Sequence, residues 1–134
     1  MAGMSDLENT VIISIGSNIN ASVNISRMIS LLRQYVHITG MSPLLQTKAI
    51  GITNQPDFTN GAVSVTTQLG RESLRDILKR IEDALGRDRS LPAFGPRTMD
   101  LDIVVWNDNI VDDDYYTRDF LKDSIDALMQ KHGS

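Results

Sequence analysis

An α+β fold is predicted by three features of the sequence. Hydrophobic spacing switches between periods of two and 3.6 along the chain, in the order β-α-β-β-α-β followed by one more helix. The segments are separated by polar or Gly/Pro-containing stretches, with no internal repeat, linker or low-complexity tract. The 134 residues suffice for one domain with a real core and are too few for two ordinary ones. This order is that of a split-βαβ, ferredoxin-like sandwich: an antiparallel sheet with helices on one face, here with a C-terminal helix added. Residues 1–134 are read as a single domain, with 1–9 a disordered lead-in.

Thr10 to Ile15 is rich in β-branched residues and reads as a strand that closes on Gly16-Ser17-Asn18. Helical period begins after Asn20, with Asn20 or Ser22 as N-cap. Ile25, Met28, Ile29 and Leu32 form its apolar stripe, completed by Tyr35 or Val36. Ile38 to Thr47 reads as a second strand, which Pro43 assigns to an edge or a bulge. Lys48 to Gln55 is a loop. Phe58 to Thr67 is a third strand, with Val63 and Val65 on one face and Ala62, Ser64 and Thr66 on the other. Leu74, Ile77, Leu78, Ile81 and Leu85 mark a strongly amphipathic helix that Gly86 stops. A polar loop then leads to a strand in which Leu101, Ile103 and Val105 share one face and Asp100 and Asp102 the other. A short extension at Asn109–Val111 and a last helix over Asp119 to Gln130 complete the chain.

Composition excludes several classes of function. A hydrophobic content of 41% and charged content of 22% belong to a globular protein. No apolar run approaches a membrane span, and neither a signal peptide nor a membrane role is expected. Zero cysteines rule out disulfides and thiolate-bound zinc and suit a cytoplasmic setting. The net charge of −4 and the lack of a basic stripe interleaved with aromatics argue against a nucleic-acid partner. Residues 71–97 nevertheless hold seven of the thirteen basic side chains, a local cluster suited to a small anionic ligand.

Asp100 and Asp102 carry the sharpest chemical signal. Side chains two apart on a strand share a face about 6–7 Å apart, so their charges repel unless a cation or proton intervenes. Magnesium binds through one or two carboxylates together with waters and phosphate oxygens. Arg97, fixed by the Gly95-Pro96 turn, offers a planar donor fork that fits phosphate. The plainer alternative is a pair of solvent-facing acids on a half-buried sheet.

Several segments together resemble one family, the 6-hydroxymethyl-7,8-dihydropterin pyrophosphokinases of folate biosynthesis. They are Ile15-Gly16-Ser17-Asn18 with Asn24, Gln55 to Val63, Arg80-Ile81-Glu82, Gly86-Arg87-Asp88-Arg89, and Phe94-Gly95-Pro96-Arg97-Thr98-Met99-Asp100-Leu101-Asp102. The resemblance implies Mg²⁺-dependent transfer of pyrophosphate from ATP to a pterin alcohol, releasing AMP, with two metal ions. It implies that Asp100 and Asp102 hold the metals and that Arg87, Arg89 and Arg97 meet the triphosphate. Glu82, Ile103 and Arg118 would lie beside the nucleotide, and Thr47, Phe58, Asn60 and Phe120 would form the pterin pocket. A monomer or weak homo-oligomer is expected.

The chain departs from that pattern in three places. Leu91, Ala93 and Phe94 stand where the family carries a basic residue and a tryptophan. Thr47-Lys48-Ala49 replaces a Thr-Pro-Pro run. After Val111 a Pro-His segment is missing, and Arg118-Asp119-Phe120 is aligned with the family's Arg-x-Phe across a deletion. These departures leave two alternatives open: a paralogue that binds a pterin or nucleotide without catalysis, or one that uses another alcohol acceptor.

Overall fold

A computed structural model of the chain describes residues 8–47, 57–86, 98–112 and 119–133. In chain order the elements are β1 (Asn9–Ser17), α1 (Ala21–Leu32), β2 (His37–Met41), β3 (Leu45–Thr47), β4 (Phe58–Thr67), α2 (Arg71–Ala84), β5 (Asp100–Trp106), β6 (Asn109–Ile110) and α3 (Asp119–Gly133). The six strands form one sheet in the order β2-β4-β1-β5-β6, with β3 also paired to β4, and every pairing is antiparallel. Among the described residues no helix is long and apolar enough to cross a membrane.

Successive side chains of a strand point to opposite faces, and the sheet uses both. Val11, Ile13, Ile15, Val63, Val65 and Leu101 pack with the stripes of α1 and α2. Ile12, Ala62, Val104 and Val105 pack instead with Ile125 and Leu128 of α3. The expected arrangement of helices on one face therefore holds for α1 and α2, while α3 covers the opposite face and makes a third layer. Each helix buries the residues its period selects. In α2, Leu74, Ile77, Leu78 and Ile81 are buried, and Gly86 ends the helix at φ 87°, a left-handed conformation that suits glycine. Val36 rather than Tyr35 completes the α1 stripe, at 8% against 45% exposure.

Three local departures from the sequence reading have physical causes. Asn20 occupies the N-cap position of α1, but in a left-handed conformation (φ 44°) and without a side-chain cap bond; the Asn24 side-chain amide donates to the Ile19 carbonyl at 2.6 Å instead. The strand expected over Ile38–Thr47 is two strands. Pro43 has no N–H for a ladder, and at the break the Ser42 hydroxyl accepts the Ala62 N–H at 2.9 Å. Val105 does not share a face with Leu101 and Ile103. Ile13 pairs with Ile103 and Ile12 with Val105, so Val104 is the extra residue of a β-bulge, and Val104 and Val105 both join the α3 layer.

Candidate functional site

The end of β1 is the hinge of the site, because Gly16 is paired on both sides. Its partner on β4 is Asn60 and its partner on β5 is Asp100, while Ser14 lies between Ala62 and Asp102 in the same way. Directly paired residues present their side chains to one face, so Asn60, Asp100 and Asp102 share the sheet face that α3 covers farther along. Asn60 and Asp100 are two strand spacings apart, about 10 Å. A Cβ placed on Gly16 would lie 2.9 Å from Asn60 Oδ1 and 3.9 Å from Phe58 Cδ1. The Asn60 side chain thus reaches over bare backbone, in space that a Cβ at 16 would crowd, and Phe58 lies at van der Waals distance from the same point.

Beside this row opens a cleft of about 440 Å³ between the outer edge of β5 and helix α2. β6 pairs with Val105 and Trp106, the Val111 N–H donates to the Val104 carbonyl at 2.7 Å, and among the described residues no strand pairs with the outer edge of Asp100–Ile103. Asp100, Asp102, Ile103 and Glu82 all line the cleft, together with Arg71, Arg75, Lys79 and Asp112. Asp102 is exposed and Asp100 half-buried.

Glu82 departs from the usual solvated position of a helix acid. It is 3% exposed, and its Oε2 accepts the Leu101 N–H at 2.8 Å. Leu101 lies between the two aspartates, so Glu82 ties the strand segment that carries both of them to α2. A charge-assisted bond of this kind is stronger than a neutral one.

Magnesium has a fitting donor set here. Asp100 and Asp102, two carboxylate residues at same-face positions of one strand, are both among the residues that line the cleft. Among the described residues no group of three or more His, Cys, Asp or Glu is placed to hold a metal unaided. Two protein carboxylates completed by water and phosphate is the arrangement magnesium commonly takes, whereas a calcium cage uses more protein oxygens.

The structure therefore brings Asp100, Asp102, Glu82 and Ile103 into one cleft and sets Phe58 and Asn60 over Gly16, with Asn60 two strands from Asp100. The Thr47 backbone pairs with Phe58, and Phe120 lies in the first turn of α3. Arg87, Arg89, Arg97 and Arg118 lie outside the described residues. Of the first motif, the Ser17 hydroxyl bonds to the Ile19 carbonyl at 3.3 Å, so Ser17 and Asn24 brace the β1–α1 turn. The sequence reading did not single out Arg71, Arg75, Lys79 and Asp112; the spacing of the three cations at i, i+4 and i+8 was the available signal.

A family model described as 7,8-dihydro-6-hydroxymethylpterin-pyrophosphokinase (HPPK) matches residues 12–130. The chain belongs to the HPPK family. It is 36% identical over 104 residues to the 2-amino-4-hydroxy-6-hydroxymethyldihydropteridine pyrophosphokinase of Bacillus subtilis, covering 75% of this chain and 62% of that protein. Its identity to the enzyme of the same description from Haemophilus influenzae is 35% over 112 residues, covering 81% and 69%. A folate synthesis bifunctional protein of Arabidopsis thaliana is 36% identical over 98 residues, which are 72% of this chain and 20% of the plant protein. The chain thus spans about a fifth of that plant protein and less than two thirds of the Bacillus one.

Proposed function

We propose that the protein transfers a pyrophosphoryl group from ATP to 6-hydroxymethyl-7,8-dihydropterin, with magnesium. In this reading the hydroxymethyl oxygen bonds to the β-phosphorus of ATP. The bond from that phosphorus to the α–β bridging oxygen breaks, AMP leaves with the bridging oxygen, and the hydroxyl proton passes to solvent. Bound magnesium would supply charge neutralisation on the phosphate oxygens; Asp100 and Asp102 are the residues that would hold it. Asn60 reads the polar edge of the pterin, and Phe58 gives its ring an apolar surface. Glu82 holds the aspartate strand in place, and Ile103 contributes an apolar contact to the nucleotide. Such reactions depend on positioning and electrostatics more than on covalent help from the protein.

The observation that carries this reading is the double pairing of Gly16. Gly16 has Asn60 as its partner on one side and Asp100 on the other, and Asp100 and Asp102 are among the residues that line an open cleft, an arrangement that supports a pterin beside a magnesium-bound nucleotide. The strand order supports the split-βαβ plan as well, if β2 and β3 are taken as two halves of one strand bent at Pro43.

Incubation of the protein with ATP, Mg²⁺ and the pterin alcohol should release AMP and the pterin diphosphate in equal amounts. Calorimetric binding of the pterin with no AMP after many hours would instead make this chain a pterin-binding member of the family. AMP release with another alcohol but not with the pterin would move the acceptor.

A further inference from the structure

The corner between β2 and β3 decides which leucine of the sheet edge stands beside Asn60. Met41 of β2 is the partner of Val63, and Leu45 of β3 is the partner of Asn60. Ser42, Pro43 and Leu44 therefore lie opposite only Gly61 and Ala62, an excess of one residue of the kind a β-bulge introduces. Without that extra residue Leu44 would be the partner of Asn60 and Leu45 would face the other side of the sheet.

Ser42 holds the corner in this register. It is 6% exposed, and its backbone N–H donates to the Ala62 carbonyl at 2.9 Å. Its hydroxyl accepts the Ala62 N–H at 2.9 Å and donates to the Pro43 carbonyl at 3.0 Å. One side chain thus satisfies a donor of β4 and an acceptor of the corner at the same time. Gly61 completes the seat, because a Cβ there would lie 2.8 Å from Leu44 Cδ2 and 3.3 Å from Ser42 Oγ. Gly61 is paired with Ile15, which packs in the layer of α1 and α2. Leu44 is therefore turned to that layer and Leu45 to the face of Asn60.

Leu45 is 40% exposed and heads the cross-strand row Leu45, Asn60, Gly16, Asp100. Directly paired side chains have Cβ atoms about 5 Å apart, so a planar ring whose polar edge meets Asn60 comes within reach of Leu45. We infer that Leu45 is an apolar contact to the ring of the acceptor alcohol, and that the Ser42 hydroxyl is the positioning group that presents it. This inference rests on the pterin reading above and adds the outer, sheet-edge side of that site.

The test is fluorescence titration of the intact chain with the pterin alcohol, with ATP binding measured separately on each variant. Leu45→Ala should weaken pterin binding about fivefold or more, whereas Leu44→Ala should change it less than about twofold. Ser42→Val and Ser42→Thr have the same shape and differ in the hydroxyl. The valine variant should lose pterin affinity as Leu45→Ala does, the threonine variant should keep it, and ATP affinity should hold in all four. Adding Leu45→Ala to Ser42→Val should cost less than it does alone, since the contact is already misplaced. Equal losses in the two leucine variants overturn the role of Leu45. Equal pterin affinity in Ser42→Val and Ser42→Thr, a matching loss of ATP affinity, or unfolding of the valine variant alone would make Ser42 a general prop of the sheet and overturn its positioning role. Failure of the unaltered protein to bind the pterin would overturn the pterin reading itself, so the failures are distinguishable.

Discussion

The buried Glu82 carboxylate accepts the Leu101 N–H at 2.8 Å and thereby fastens β5 to α2 between the two aspartates. The bond satisfies a backbone donor on a strand edge that, among the described residues, no neighbouring strand covers at that point. It also fixes the distance between the acid wall and the helix wall of the cleft.

Replacing Glu82 by Ala should leave that N–H without its partner and cost about 2 kcal/mol of stability, measured by urea unfolding. Glu82→Gln keeps an acceptor oxygen and should lose about half as much. Equal losses in the two variants would mean that packing, and not the hydrogen bond, is what Glu82 supplies.

Asp100→Asn and Asp102→Asn should each reduce AMP release by roughly 10²–10³-fold, the scale on which single electrostatic contacts to a transition state act. Neither change should lower the thermal midpoint by more than a degree or two, because Asn keeps the size and an acceptor oxygen of Asp and relieves the like-charge repulsion. Full turnover by either variant would remove that aspartate from the metal assignment.

Gly16→Ala tests the pterin half independently. The new Cβ would lie 2.9 Å from Asn60 Oδ1, the far end of a side chain that can turn aside. The fold should survive while pterin affinity falls about tenfold, or roughly 1.4 kcal/mol, with ATP affinity unaltered. Fluorescence titration of the pterin reads the difference directly, and an unchanged dissociation constant would place Asn60 outside the pterin pocket.

The third layer has its own test. Ile125 is fully buried against Ile12, Ala62, Val104 and Val105. Ile125→Ala should destabilise the protein by about 2–4 kcal/mol in chemical denaturation. A loss below about 0.5 kcal/mol would show that α3 does not seal that face.

Much of this architecture can be read from the residues alone. The α2 positions Leu74, Ile77, Leu78, Ile81 and Leu85 are all buried, and Val63 and Val65 face a different layer from Ala62, as strand alternation requires. Asp100 and Asp102 share a sheet face for the same reason, a period of two that survives until the bulge. The reading failed at Val105, where one extra residue inverts the alternation. Glu82 was named from the sequence as a site residue, but its burial was not legible there, because it depends on an N–H supplied nineteen residues later. The Arg71-Arg75-Lys79 row was legible as spacing, but not as the wall of a cleft.

The sequence by itself determined the kinds and order of the elements, the inward face of each helix and the pair of same-side aspartates. All of these follow from periodicities set by local backbone geometry, which a neighbour a few residues away can specify. Only the tertiary structure decided that α3 closes the second face of the sheet, that Gly16 seats Asn60 and Asp100 on either side, and that Glu82 secures the aspartate strand. Those relations are contacts between distant segments, fixed by strand register and by whichever partner satisfies a buried polar group, and no local spacing encodes them.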